Sequence, residues 1–207
     1  MSVEARREQL LAIGAELFAS APYDEVWIEE VADRAGISRG LLYHYFPNKR
    51  EFLLSVVRHE CERILELTDT DESLPLDQRV DNALEAFLGF VEGHEASFRL
   101  LNMGKLSADE AIREVVDSCE KVQQERILRG LQLAGVAVVE LTGVVVRAWF
   151  AMMRSMCFEW LDHHELTRDQ VKELGAQTLL ANVCWSIGEP LVPMNPVLQS
   201  SEPAAAR

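Results

Sequence analysis

The segment from Ile28 to Phe46 constrains this chain more than any other. Its apolar spacing and its glycine fit two short helices joined by a tight turn. Ala32 suits the point where the first helix presses on the second, since a methyl is all that such a crossing admits. Gly36, four residues on, supplies the positive φ that the turn needs. Val31, Ile37 and Leu42 fall where they seal the two helices together. Ser38 is a good N-cap, so the second helix opens near Ser38 or Arg39. It then presents Arg39, Gly40, Tyr43 and His44 outward, side chains of the types that meet phosphates and base edges. A hairpin buried in a core has no use for such a face.

Each contact has a physical reason. Arg39 can pair with guanine through two hydrogen bonds or hold a phosphate. Gly40 lets the helix backbone approach a groove with no Cβ in the way. Leu41 and Arg39, with Gly40, are placed for sequence readout. Lys49 and Arg50, at the start of the next helix, add charge to backbone amides already suited to anions. Tyr45 and Phe46 read better as core. The chain's net charge of −14 opposes DNA binding until it is resolved by position. Residues 34–58 carry Arg34, Arg39, Lys49, Arg50 and Arg58 against Glu51 alone. A local basic face on an acidic body still binds DNA, and the body discourages nonspecific adhesion.

The run Ser-Arg-Gly-Leu-Leu-Tyr-His-Tyr-Phe-Pro-Asn-Lys-Arg-Glu-Phe-Leu, 38–53, resembles the N-terminal domain of the TetR family of transcriptional regulators. The resemblance covers residues 6–55, and Leu42, Tyr43, Phe46 and Lys49 are its most specific part. It implies an all-helical dimeric repressor whose grip on an operator is released by a small ligand. It also matches Tyr43 and His44 to positions that hydrogen-bond phosphates, and includes Ser38 at the DNA-side helix start. One departure stands out. The family usually has Ser or Thr at the start of the second helix, where this chain has Trp27, followed by Glu29 and Glu30. An indole cannot cap through an oxygen, so the contact from that helix differs here.

The rest of the chain predicts about nine helices and no strand. A first helix over about 4–19 carries Leu10, Ile13, Gly14, Leu17 and Phe18 as one apolar stripe. The second and third cover about 28–34 and 38–45. Pro47 is read just inside the start of the fourth, which runs to about Leu67 and links two domains. The fifth and sixth cover about 76–92 and 95–102. Ser107 to Glu110 has capping-box form before a seventh over about 108–130, and Gly130 and Gly135 bracket the next turn. The eighth covers about 137–162. Thr167 to Gln170, a second capping box, opens the ninth over about 168–186. The fold expected is all-α: a three-helix helix-turn-helix head over 1–52, a helical ligand-binding and dimerisation domain over 53–188, and a mobile tail over 189–207.

On the eighth helix Val145, Trp149, Met152, Met156 and Trp160 share one face, while Ala148, Ala151 and Ser155 put small groups on another. A helix apolar on two faces is buried on two sides. The TetR-like picture assigns one side to a cavity and the other to a homodimer made by the eighth and ninth helices. Gly175, Ala176, Thr178 and Ala181 allow close approach on the ninth, among Val171, Leu174, Leu179 and Trp185. Phe87, Phe90, Phe98, Leu101, Met103, Trp149, Met152 and Met156 are the candidate lining for a small apolar or amphipathic effector, with His94, Arg99 and Asn102 among the polar anchors. The same stripes also fit a plain core.

The 48% apolar fraction fits a globular protein, and the absence of an uninterrupted eighteen-residue apolar run or signal segment points to a cytoplasmic protein with no membrane partner. Cys61, Cys119, Cys157 and Cys184 are isolated, with no metal spacing and no adjacent cation, and read as free thiols; neither metal nor cofactor is expected. No nucleophile elbow, His-rich spacing or phosphate loop suggests an enzyme. The alternative kept beside the ligand-responsive repressor is a DNA-binding regulator controlled by a protein partner or by thiol oxidation.

Overall fold

The computed structural model describes residues 2–188, so the expectation of a mobile tail over 189–207 lies outside the described residues. Among them the regular elements are α1 (Val3–Ser20), a 3-10 turn (Tyr23–Glu25), α2 (Ile28–Ala35), α3 (Arg39–Tyr45), α4 (Lys49–Leu67), α5 (Leu76–Gly93), α6 (Glu95–Gly104), α7 (Glu110–Leu133), α8 (Glu140–His163) and α9 (Arg168–Ser186). This is the all-α architecture expected. The packing divides inside α7, into one unit up to Ile127 and another from Leu128. The first holds both the three head helices and α4–α6, because α1 packs on α2, α4 and α6, and α4 packs on α5 and α6. The division by packing therefore falls elsewhere than residue 52.

The α1–α4 contact is unusually close, and Gly14 is the reason. A Cβ built there lies 2.5 Å from the Phe52 ring and 2.8 Å from a Val56 methyl. Leu10, Leu11, Ala15, Leu17 and Phe18 of α1 are buried around it, while Ile13 is half-buried. At the start of α4 the cap is Asn48, whose side-chain oxygen accepts the Glu51 N–H at 2.9 Å. Pro47 therefore stands outside the helix and not at its first position, because asparagine can satisfy an orphan N–H and proline cannot.

The opening of α7 differs in the same way. Ser107 accepts from the Asp109 N–H at 3.1 Å, and Asp109 accepts from Ala111 at 3.0 Å, so the carboxylate takes the capping place expected of Ser107. Gly130 lies within α7. The helix ends beyond Leu133 at Gly135, φ +78°, with the Val136 N–H returning to the Leu131 carbonyl at 2.9 Å.

In the second unit α8 packs along α9. The Trp149 indole N–H donates to the Gly175 carbonyl at 2.8 Å, and the Thr142 and Ser186 hydroxyls are 3.1 Å apart. The buried line on α8 is Val146, Trp149, Met153, Cys157 and Trp160. It shares Trp149 and Trp160 with the expected stripe but takes the neighbouring residue at the other three places. On α9, Val171, Gly175, Leu179, Val183 and Ser186 are buried, whereas Leu174 and Trp185 are exposed. The Thr167–Gln170 capping box forms as read, with hydrogen bonds of 3.2 and 2.8 Å.

Candidate nucleic-acid interface

The head is built on its turn. Gly36 takes φ +66° and ψ +39°; its N–H reaches the Asp33 carbonyl at 3.2 Å and the Ile37 N–H reaches Ala32 at 3.0 Å. This pair of bonds closes α2 and reverses the chain. Arg6 of α1 donates to the Ala35 carbonyl at 3.2 Å, covering another orphan at the same helix end. Ser38 then opens α3, its hydroxyl accepting the Leu41 N–H at 3.2 Å. Val31, Ala32 and Leu42 are fully buried beneath, and the rings of the buried Phe46 and Phe52 lie with centroids 4.7 Å apart. Phe46 is core, as favoured, and Tyr45 is half-buried.

Over this core Ser38, Arg39, Gly40, Leu41, Tyr43 and His44 are all exposed on α3. A Cβ at Gly40 would meet nothing within 4 Å. Glycine inside a helix costs about 1 kcal/mol against alanine, and no contact among the described residues requires it there. Lys49 and Arg50 sit differently. The Lys49 ammonium lies over the Tyr23 ring, 4.4 Å from its centroid. Arg50 makes a two-pronged ion pair with Asp109, Nε–Oδ2 2.5 Å and Nη2–Oδ1 3.0 Å. That contact raises the arginine's pKa and holds the Asp109 carboxyl below its usual range.

Glu29 of α2 and Tyr23 of the 3-10 turn, to neither of which the sequence assigned a contact, join the side chains of this face. The Tyr43 hydroxyl donates to Glu29 of α2 at 2.9 Å. The Glu29 carboxyl is drawn below its ordinary range by its own backbone N–H and then by Tyr43, with smaller contributions from Arg39 and Lys49; the Tyr43 phenol is raised in turn by Glu29. Arg39, Tyr43, Lys49 and Glu29 thus form one electrostatic neighbourhood. Trp27 starts α2 with no side-chain cap and is 72% exposed, in keeping with its departure from the usual Ser or Thr. Tyr23 seats Lys49, and only its aromatic character hinted at that.

Comparison with known proteins agrees with this geometry. The profile "Bacterial regulatory proteins, tetR family" matches residues 10–56, and "Tetracyclin repressor-like, C-terminal domain" matches residues 76–182. The chain belongs to the TetR family. Its head is the part matched by the profile of bacterial regulatory proteins, and its later helices match the C-terminal domain of the same family. Its relatives include the HTH-type transcriptional activator FasR of Mycolicibacterium smegmatis, 34% identical over 104 residues, 47% of this chain and 46% of FasR. They also include the HTH-type transcriptional repressor KstR of the same organism, 38% identical over 64 residues, 31% of each chain. The chain thus spans less than half the length of either relative. A TetR-family regulator from Streptomyces coelicolor superimposes with TM-score 0.77 at 28% identity, over 91% of this chain and 84% of that one.

The candidate effector residues fall into both packing units. In the first, Phe90, Phe98 and Leu101 are buried and Phe87 is half-buried. Phe87 meets Phe98 edge-on at 6.3 Å, and Phe90 meets His94 edge-on at 5.7 Å. Met103 is exposed and does not join them. Asn102 donates to the Phe98 carbonyl at 2.7 Å and Arg99 pairs with Glu95 at 2.7 Å, both local to α6. In the second unit Trp149 is fixed on α9, and Met152 and Met156 are half-buried beside the buried Met153 and Cys157.

Glu60 was missed. It is 1% exposed; its Oε2 has no hydrogen bond and lies 3.7 Å from Arg63 Nη1. Arg63 turns instead to His94 Nε2. The signal was present: an acid at the centre of the stripe Val56, Val57, Glu60, Cys61, Ile64 lies on the buried face of α4.

Proposed function

We propose that this protein is a cytoplasmic, dimeric repressor that binds a pseudo-palindromic operator and is released by a small, largely apolar effector. The observation that carries the reading is the exposed α3 face of Arg39, Gly40, Leu41, Tyr43 and His44, with no other described side chain or helix within 4 Å of a Cβ built at Gly40. Arg39 and Leu41 read sequence; Tyr43, His44 and Lys49 hold phosphates; Ser38 sets the helix start; Arg50 contacts the backbone when it leaves Asp109. The functional head is residues 1–52 and the regulatory part 53–188. Its sign and effector follow neither FasR nor KstR by name, since one is an activator and the other a repressor.

Support for the effector comes from the aromatic group Phe87, Phe90 and Phe98, beside the charged cluster Glu60, Arg63 and His94. A few polar groups among aromatic walls are what a ligand site needs. Leu101 extends the wall; Trp149, Met152 and Met156 belong to the same reading in the other unit. Support for the dimer is an apolar face left exposed among the described residues. α8 has a mean hydropathy of 1.2 over its most apolar stretch, high enough by composition to cross a membrane, yet only 28% of that stretch is buried within the chain. Leu141, Val144, Ala148, Ala151 and Ser155 are exposed on α8 at alternating three- and four-residue spacing. That rhythm fits a second helix pair.

Gel-shift titration tests the head. Lys49→Ala should weaken binding to all duplexes alike, and Arg39→Ala should also flatten the preference for an operator selected from a random duplex pool. Unchanged affinity in both variants overturns the assignment.

A further inference from the structure

α7 runs parallel to α4 and is tied to it at three heights. Arg50 pairs with Asp109 at the start of both helices. Near the far end Arg126 donates to the Leu65 carbonyl at 2.6 Å and lies 3.7 Å from Asp69. Between them are two cysteines, 58 residues apart in sequence. The Cys119 thiol points at the Cys61 carbonyl at 3.7 Å, and the Cys61 thiol at the Val115 carbonyl, one turn before Cys119, at 4.0 Å. The side chains are 4% and 8% exposed, so both sulfurs occupy one nearly closed seam.

We propose that Cys61 and Cys119 are a peroxide-responsive thiol pair, whose disulfide locks α4 to α7 and lowers operator affinity. The two thiols are unlike. Their contact and the charge of Arg126 draw the Cys119 thiol below its ordinary range, against burial. The same contact, then burial, pushes the Cys61 thiol up. Cys119, also the less buried of the two, is the attacking thiolate and Cys61 the resolving thiol. The Cys119 thiolate attacks one oxygen of hydrogen peroxide and breaks the O–O bond, giving sulfenic acid and hydroxide. Cys61 then attacks that sulfur, releases water and closes the S–S bond. The Cys61 proton leaves in that water, and the proton that Cys119 gave up on ionising neutralises the hydroxide, so two thiols and one peroxide become one disulfide and two waters. Under reducing conditions the pair rests as dithiol.

The lever is geometric. A disulfide fixes its sulfurs about 2.05 Å apart, well inside the contact distance of two thiols. α4 is drawn toward α7 at mid-height while its start carries Lys49 and Arg50 of the DNA face. Cys157, whose thiol burial alone pushes up to about 12, serves as a control.

The test uses the full reduced chain and hydrogen peroxide. Non-reducing peptide mapping should find Cys61 joined to Cys119. Operator affinity should fall at least fivefold and return with dithiothreitol. Cys119→Ser should abolish both effects, and Cys61→Ser should leave a dimedone-trappable sulfenic acid at Cys119 with operator affinity unchanged. Cys157→Ser should behave as the parent. The wild-type map needs no variant to fold, and it reads the disulfide even if the operator reading fails. A map without the Cys61–Cys119 link overturns the proposal, as does a complete link that leaves affinity unchanged.

Discussion

Glu29 places a negative charge beside the side chains that would meet phosphate, and its carboxylate holds the hydroxyl of Tyr43. For Tyr43 to donate to DNA, that hydrogen bond has to break. Glu29→Gln should therefore raise affinity for specific and scrambled duplexes alike, by about threefold to fivefold at low salt. Gel-shift titration checks it, and an unchanged affinity would mean that the carboxylate does not face the duplex. The pair adds no pH dependence near neutrality. Glu29 is shifted down, so its charged form is lost only on acidification below the ordinary carboxylate range. Tyr43 is shifted up, so its proton is lost only above the ordinary phenol range. Binding followed between about pH 6 and 8 should show no step from either group. At this scale the sequence reading reached Arg39, Gly40 and Tyr43 because they sit on one short helix of fixed period. It did not reach the Tyr43–Glu29 bond, or the Arg50–Asp109 pair, because those partners meet only after separate helices pack.

Among the elements, the α1–α4 crossing is the most exacting. Gly14 faces Phe52, and that ring cannot swing aside, since it is fully buried between Phe46 and Phe18 at 4.7 and 5.8 Å. Gly14→Ala should destabilise the protein by about 1–3 kcal/mol through overpacking, despite the better helix propensity of alanine. Thermal unfolding measures this, and a raised melting temperature would show that the crossing relaxes freely. The helix ends explain why some boundaries were readable and others slipped. Gly36, Ser38 and Thr167 each stand alone as the capping type at their helix end, and the structure uses them as read. At 47–48 and 107–109 two turn-forming residues compete, and local sequence does not say which N–H groups remain orphaned. The side of α8 that is buried was likewise ambiguous, because Val145 and Val146, Met152 and Met153, and Met156 and Cys157 are adjacent apolar pairs.

For the molecule as a whole, the open question is what covers the outer side of the second unit. Within that unit α8 and α9 bury Val146, Trp149, Leu179 and Val183, yet leave Leu174 44% and Trp185 64% exposed. The exposed line on α8 narrows to Ala148, Ala151 and Ser155 in its middle, where two backbones can come close. Small residues at the middle and larger ones at the ends suit a crossing of two such helix pairs about a twofold axis. Ala151→Glu places a charge at that crossing and changes nothing in the chain's own core, because Ala151 is exposed. The variant should keep its helical circular dichroism and its melting midpoint at low protein concentration. Light scattering should report the monomer mass where the parent reports twice that. Operator binding should fall by at least tenfold on a two-half-site duplex but change little on a single half-site, since one head still fits one groove and only the coupling of two heads about 34–36 Å apart is lost. A variant that remains dimeric would place the partner contact on another face, and a parent that scatters as a monomer would remove the dimer altogether.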